Sequence, residues 1–198
     1  MGGPTSCRSA FEPMTHYLKG LFARQRLALC IGALLWLGAV AAGIATVPLE
    51  QESHSGLVPA SPSWALWWSI LSNNAIIALL AFAGILTFGI ITVLYALASG
   101  LLFGHFLAQA VNLAGLLGVI RGVGPHGIVE FPAIIIAISA GISPLAYFLR
   151  TALGGRKEPR ENLFQAAQGV ILDAVSLLCI SLLMIVIAAT IETWVTLL

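Results

Sequence analysis

Residues 27–47 read LALCIGALLWLGAVAAGIATV, a run of 21 residues without a charged side chain. A helix needs about 20 apolar residues to cross the hydrocarbon core of a bilayer. A secretory signal peptide is shorter and ends at a small-residue cleavage site. Here 26 residues precede the run and no A-x-A site follows it, so we interpret it as a retained membrane anchor.

The composition of the whole chain agrees with this interpretation. Hydrophobic residues make up 59% of the 198 residues and charged residues 9%, with a mean hydropathy of +1.00. Soluble domains have roughly 25% charged residues, so the chain is predicted to be an integral membrane protein whose main partner is the lipid bilayer. A net charge of +1 gives no reason to expect nucleic acid. Three scattered cysteines form neither a disulfide framework nor a CxxC pair.

Further apolar segments follow the first, separated by polar or glycine-rich stretches. The sequence predicts an all-α polytopic fold: a cytoplasmic segment over 1–26, then one helical membrane domain over 27–198. We expect interfacial helix segments before the second span, where Trp64, Trp67 and Trp68 suit the headgroup level, and at the start of the last run. We expect a helix break at 122–127 (GVGPHG), as a re-entrant loop or a plain helix start. The predicted spans are about 27–47, 73–98, 99–120, 125–149 and 169–192.

The basic residues predict the orientation. Four precede the first span and four follow the fourth, which five spans place on one side, while only Arg121 falls on the other. Basic residues concentrate on the cytoplasmic side of membrane proteins. We therefore predict a cytoplasmic N-terminus and an external C-terminus. The two basic groups are Arg8, Lys19, Arg24 and Arg26, and Arg150, Arg156, Lys157 and Arg160.

The segment 124–141, GPHGIVEFPAIIIAISAG, holds the richest set of polar and helix-breaking residues. Pro125 suits the first turn of a helix, and Pro132 should kink the helix because it cannot donate a backbone hydrogen bond. His126 and Glu130 are four residues apart and share one helix face. Ionisable side chains in a membrane face the bundle interior, so this pair is a candidate site.

Three roles for His126 and Glu130 remain open. Imidazole and carboxylate could bind a metal ion, could act as an acid–base or proton site, or could only satisfy local hydrogen bonds. Two ligands alone do not make a metal site. In the predicted topology Glu192, Asn73 and Asn74 reach the same outer boundary, so all five could form one outward-facing cluster. Two carboxylates there would repel each other unless a cation lies between them.

Small residues recur every four positions in two of the predicted spans, which allows close helix packing. Beside the first of these stripes lies a polar stripe of His105, Gln109 and Asn112, typical of hydrogen bonding between helices, with His105 expected near the cytoplasmic end. The membrane depth of Asp173 is left open. The two small-residue stripes are Gly100, Gly104 and Ala108, and Ala133, Ala137 and Gly141.

Read together with NNAIIALLAFAGILTFG, ASGLLFG and the final IAATIET, the segment GPHGIVEFPAIIIAISAG resembles the signature of the stage II sporulation protein M family. The resemblance covers roughly 73–194. It implies a membrane anchor that, in sporulating bacteria, assembles a peptidoglycan-degrading complex. It also implies that His126, Glu130, Pro132 and Glu192 are the residues of interest. Ser99 departs from the pattern, which often has Asn before this Gly.

The first functional hypothesis is a non-catalytic membrane scaffold, homodimeric through a small-residue face, that holds partner proteins in a prokaryotic cell membrane. It follows from the absence of a complete catalytic motif, which also argues against an enzyme and against a cofactor. An alternative is a transporter, channel or ion-binding protein that uses the His/Glu site, because broken helices often line ion sites. A further alternative is an intramembrane metal-dependent hydrolase.

Overall fold

A computed structural model describes residues 8–48, 61–153 and 163–196 of the chain. These residues form four long helices, α1 (Arg8–Ile44), α2 (Trp64–Ala83), α3 (Ile90–Leu153) and α4 (Leu163–Ile191), and α4 continues into a π-helical turn, Glu192–Thr196. The described residues contain no strand. Each of the four helices contains a segment long and apolar enough to cross a membrane, so the predicted all-α fold with membrane-spanning helices is confirmed.

Helix α3 consists of two arms that fold back on each other. Gly115 has φ 72° and ψ 162°, which is not helical, and only glycine adopts such a backbone without strain. The rings of Phe103 and Phe131 lie 5.3 Å apart, although a straight helix would separate them by about 40 Å. The arms, here called the N arm (90–114) and the C arm (116–153), are therefore antiparallel.

The structure places this break differently from the sequence prediction. The backbone remains helical through 122–127 and through Pro132, and the break lies at Gly115 instead. Proline removes one helical hydrogen bond but its φ angle fits a helix. Surrounding helices can compensate for the lost bond in a membrane bundle, whereas the backbone at Gly115 leaves the helical region altogether.

A second difference concerns residues 73–98, where the sequence predicted one uninterrupted span. Helix α2 ends at Ala83, a short 3₁₀ turn covers Gly84–Thr87, and Phe88 and Gly89 have positive φ angles of 55° and 88°. The hydroxyl of Thr92 donates to the carbonyl of Ala81 at 2.6 Å and closes the turn. The apolar composition continues through this turn, so hydropathy alone did not reveal it.

The helices also begin earlier than the predicted spans. Helix α2 starts at Trp64, where the Ser63 hydroxyl accepts the backbone N–H of Leu66 at 3.2 Å. The three tryptophans therefore belong to α2 itself rather than to a separate interfacial segment. Helix α1 extends back to Arg8 and α4 starts at Leu163.

Helix α1 packs against both arms of α3. The Trp36 ring lies 5.7 Å from Phe103 on the N arm and 5.6 Å from Phe131 on the C arm. Gly104 lies so close to α1 that an added Cβ would collide with the Val40 carbonyl oxygen. These aromatic and glycine contacts hold the three segments together.

Both small-residue stripes are used inside the chain. Gly100 contacts Ala39 of α1, Gly141 contacts the Ala81 carbonyl of α2, and the Ala133 carbonyl accepts the Ser181 hydroxyl of α4 at 2.7 Å. The other stripe members, Gly104, Ala108 and Ala137, are buried as well. The stripes therefore do not offer a free face for a second copy of the chain. The small-residue face on which the homodimer prediction rested is used within the chain instead.

The bundle has two chemically different ends. At the end we call the basic end, Arg24 of α1, Arg150 of the C arm and Asp173 of α4 come together. At the opposite end, the tryptophan end, Trp64 lies 5.6 Å from Trp194.

His105 lies toward the tryptophan end, because its Nδ1 is 2.9 Å from the Thr46 hydroxyl just after α1. The sequence predicted His105 near the cytoplasmic end, on the same side as the basic residues that precede the first span. That expectation was wrong, because His105 lies near the other end of α1. The N arm starts at Ile90 rather than Ser99, so His105 is about ten residues further along the arm than expected.

Candidate functional site

Three ionisable side chains converge between the C arm and the end of α4. His126 and Glu130 lie one helical turn apart on the C arm, and Glu192 is the first residue of the π-helical turn. Taking one ligand atom from each, these atoms all lie within 4.8 Å of one another. The His126 Nε2 is 3.8 Å from a carboxylate oxygen of Glu130. We call these three residues the His/Glu cluster.

The cluster is shielded from solvent, and one of its atoms lacks a partner. His126 is 9% exposed, and the side chain of Glu130 is 15% exposed. Among the described residues, the buried Nδ1 of His126 has no hydrogen-bond partner. A buried polar atom without a partner costs about 1–3 kcal/mol. The imidazole is therefore a place where a bound ion or molecule would restore a missing interaction.

A cavity of about 460 Å³ opens beside the cluster. Asn73 and Asn74 of α2 line it, and the Asn73 amide donates to the Asn74 side-chain oxygen at 3.3 Å. The structure thus brings together the five residues His126, Glu130, Glu192, Asn73 and Asn74 that the sequence singled out as one cluster. Ser99, the position that departs from the family pattern, also lines this cavity.

The cavity walls are mainly aromatic and aliphatic. Trp36, Phe103, Phe106 and Phe131 contribute rings, and Ile70 and Ile77 contribute aliphatic side chains. An apolar chamber with a few convergent polar groups is the usual form of a ligand-binding site. Low polarity also strengthens any interaction between the cluster and a charged ligand.

The cluster has the chemistry of a divalent metal site. One imidazole and two carboxylates suit zinc, iron or manganese ions, and three protein ligands leave a coordination position open. Bonds from Zn²⁺ to such ligands are about 2.0–2.2 Å long, which places two ligand atoms of a tetrahedral site about 3.4 Å apart. Ligand atoms within 4.8 Å of one another would therefore have to approach by up to about 1.4 Å on binding. Two neighbouring carboxylates and a neutral imidazole would carry two negative charges, which a divalent cation neutralises.

The other polar residues predicted from the sequence lie elsewhere. Gln109 contacts the His105 Nε2 at 3.1 Å, and the Asn112 amide donates to the Pro48 carbonyl at 2.9 Å. These contacts link the N arm internally and to the segment that follows α1. This polar stripe is part of helix packing and not of the His/Glu cluster.

A partly buried network of hydrogen bonds at the basic end was not predicted from the sequence. Arg24 donates two hydrogen bonds to the Asp173 carboxylate, and the Gln25 amide donates a third at 3.1 Å. The Ser143 hydroxyl in turn donates to the Gln25 side-chain oxygen at 3.1 Å. A single acidic residue in an apolar run, together with a basic residue in another helix, was the available signal.

Comparison with known proteins agrees with the resemblance seen in the sequence. The family model described as Stage II sporulation protein M matches residues 27–197. A protein of Methanocaldococcus jannaschii, described as uncharacterized, is 33% identical over 129 residues, which cover 65% of this chain and 69% of that protein. No solved structure matches the chain. Since the family model covers nearly the whole chain, the protein belongs to the Stage II sporulation protein M family.

Proposed function

We propose that this protein is an ion-binding membrane protein whose His/Glu cluster holds one divalent transition-metal cation. The observation that carries the proposal is the convergence of His126, Glu130 and Glu192 within 4.8 Å of one another, beside a buried imidazole nitrogen that lacks a partner among the described residues. Isolated charges are costly in a membrane, and a cation between these ligands offsets that cost.

We further propose that the bundle crosses a prokaryotic cell membrane five times, with the basic end in the cytoplasm. The antiparallel arms of α3 provide two of the five crossings, and α1, α2 and α4 provide the others. The grouping of eight basic residues, four before the first span and four after the fourth, supports this orientation. Under this topology the His/Glu cluster lies toward the outer side.

The predicted scaffold role is compatible with a bound cation. A cation at the cluster would join the C arm to the end of α4 and so stiffen the bundle as a platform for partner proteins. The open coordination position would instead serve a transporter, which must release its ion, or a metal-dependent hydrolase, which needs a bound water. These roles differ in whether ion flux or hydrolysis accompanies binding.

Binding is tested first with zinc as the probe. The purified full-length chain is stripped with a chelator, equilibrated with Zn²⁺ and analysed for bound metal and for its melting temperature. We expect about one zinc per chain. At a hundredfold excess of zinc over its Kd, the free energy of unfolding should rise by about 2.7 kcal/mol.

The matched variants are His126→Gln, Glu130→Gln and Glu192→Gln, with His105→Gln as the control. The control removes a histidine that lies outside the cluster. We expect each cluster variant to lose zinc binding and the zinc-dependent rise in melting temperature, and the control to retain both. Zinc binding that survives in all three cluster variants, or no binding of Zn²⁺, Mn²⁺ or Fe²⁺ by the wild type, would refute the proposal.

Proteoliposome flux distinguishes a transporter from a static site. Zinc uptake that depends on Glu130 indicates transport, whereas binding without uptake favours a structural cation in a scaffold. Hydrolysis of a lipid, peptide or glycan by the metal-loaded protein that disappears in Glu130→Gln would assign the enzyme role.

A further inference from the structure

A second cavity, of about 420 Å³, opens at the basic end of the bundle. It lies between α1, the last turns of the C arm and the first turns of α4. Arg24, Arg150, Tyr17, Tyr147 and Gln165 provide most of its polar lining, and Leu27, Ala28 and Ala146 provide an apolar side. The cavity thus combines basic, hydroxyl and amide groups with a hydrophobic wall.

Among the described residues, a single carboxylate lines this cavity, that of Asp173, and it is already engaged. Both Asp173 oxygens accept hydrogen bonds from Arg24, at 2.7 and 2.9 Å, and one of them also accepts the Gln25 amide. Asp173 therefore neutralises Arg24 and has little capacity to bind a second cation. The charge that remains to be balanced in the cavity is that of Arg150.

Among the described residues, Arg150 forms no ion pair with a carboxylate, although its charge acts on Asp173 from a longer distance. Its Nη1 donates to the Arg24 backbone carbonyl at 3.3 Å, and its guanidinium lies 5.8 Å from the centre of the Tyr147 ring. Within residues 8–48, 61–153 and 163–196, no carboxylate forms an ion pair with Arg150. These two contacts leave most of its N–H donors free, and the described lining residues, Arg24, Arg150 and Asp173, together carry one excess positive charge.

We propose that this cavity binds the phosphate headgroup of an anionic phospholipid, with Arg150 as the main contact. A guanidinium donates pairs of hydrogen bonds that match phosphate oxygens. Basic pockets between helices at the cytoplasmic end of membrane proteins suit anionic headgroups, and the apolar wall suits the adjoining acyl chain. This proposal concerns the opposite end of the bundle from the His/Glu cluster and is independent of the metal proposal.

The test measures lipid retention by native mass spectrometry. The full-length protein in mild detergent is offered equal amounts of phosphatidylglycerol and phosphatidylcholine. We expect preferential retention of phosphatidylglycerol. Arg150→Gln should reduce that preference about fivefold, the effect of one basic residue near an anionic membrane surface.

Two variants serve as controls. Arg121→Gln removes the same charge from a residue that does not line the cavity and should retain the preference. Arg150→Lys retains the positive charge and should therefore retain part of the preference for phosphatidylglycerol. This variant keeps the proposal testable even if Arg150→Gln does not fold. A separate measurement adds inorganic phosphate, at the same concentration as the lipid, and determines how tightly the protein binds it.

Equal retention of the two lipids by the wild type would overturn the proposal. So would equal losses in the Arg150→Gln and Arg121→Gln variants, because the preference would then reflect overall charge. Binding of inorganic phosphate as tight as that of phosphatidylglycerol would identify a free anion as the ligand and would likewise overturn the lipid assignment.

Discussion

The guanidinium of Arg24 donates two hydrogen bonds to the carboxylate of Asp173, with nitrogen–oxygen distances of 2.7 and 2.9 Å. The two residues are 149 positions apart in the sequence. The Asp173 side chain is 12% exposed and that of Arg24 is 49% exposed. The pair joins the first helix to the last and closes the bundle at its basic end. It also gives Asp173, whose depth the sequence left open, a structural role.

Arg24→Gln should destabilise the protein, because it leaves the Asp173 carboxylate largely buried with only the Gln25 amide as a hydrogen-bond donor. Loss of one partner of a fully buried pair costs about 3–5 kcal/mol, and exposed pairs contribute about 0–1 kcal/mol. The half-exposed Arg24 places the expected loss between them, at about 1–3 kcal/mol. Thermal unfolding in detergent measures it. The double variant Arg24→Met with Asp173→Leu should recover part of the stability, and a double variant as unstable as the sum of the two single variants would contradict this account.

Gly104→Ala should disturb the packing of the N arm on α1. A Cβ at this position would collide with the backbone carbonyl of Val40, so one helix must shift. We expect a loss of about 1–3 kcal/mol, typical of overpacking. Gly38→Ala is the matched control because a Cβ there meets nothing within 4 Å, and it should leave stability unchanged or slightly raise it. Equal melting temperatures for the two variants would argue against the close approach of α1 and the N arm.

Gly115→Ala tests the fold-back of α3. The glycine has a φ of 72° and no atom within 4 Å of an added Cβ, so any effect of alanine comes from backbone strain and not from crowding. Such strain costs about 1–3 kcal/mol. Unfolding experiments on this variant and on Gly38→Ala should show a loss only for Gly115→Ala. If Gly115→Ala were as stable as the wild type, the arms would not be joined by a residue with a positive φ angle at position 115.

Trp36→Ala should remove the ring that packs on both arms of α3. Trp36 is 2% exposed and Trp68 is 64% exposed. Truncating a buried aromatic costs about 3–5 kcal/mol in soluble proteins. The lower end is expected here because lipid is as apolar as the protein interior. Trp68→Ala is the control and should change the melting temperature little; comparable losses in both variants would contradict the central position of Trp36.

The five-span topology is tested by cysteine labelling. In a background without the three native cysteines, single cysteines are introduced at Gly154 and at Gly122, on opposite sides of the proposed fourth crossing. A membrane-impermeant maleimide added to intact cells should label position 122 and should label position 154 only after lysis. Labelling of position 154 in intact cells would reverse the proposed orientation.

The residues alone identify the class of the protein and part of its candidate site. Charge content and apolar runs are properties of the residues alone, so they identified a helical membrane protein without any knowledge of its contacts. The four-residue spacing of His126 and Glu130 placed them on one helix face because the helical period is local. The signature around these residues likewise pointed to the family that the comparison shows.

Which distant residues meet, and where the helices turn, depends on how the helices pack together. Hydropathy reports whether a residue prefers lipid, and in an apolar chain it is nearly the same on both sides of Gly84, so the turn before α3 was missed. The fold-back at Gly115 depends on one backbone angle together with the packing of Trp36, Phe103 and Phe131.

The fold-back at Gly115 also assembles the candidate site. It brings the C arm against α4, so that Glu192 joins His126 and Glu130, and it places the stripe that contains Ala133 and Gly141 against α4 and α2. The pairing of Arg24 with Asp173 depends equally on how the first and last helices pack. Such contacts have no local sequence pattern, because their energy comes from atoms that approach one another only after the bundle has formed.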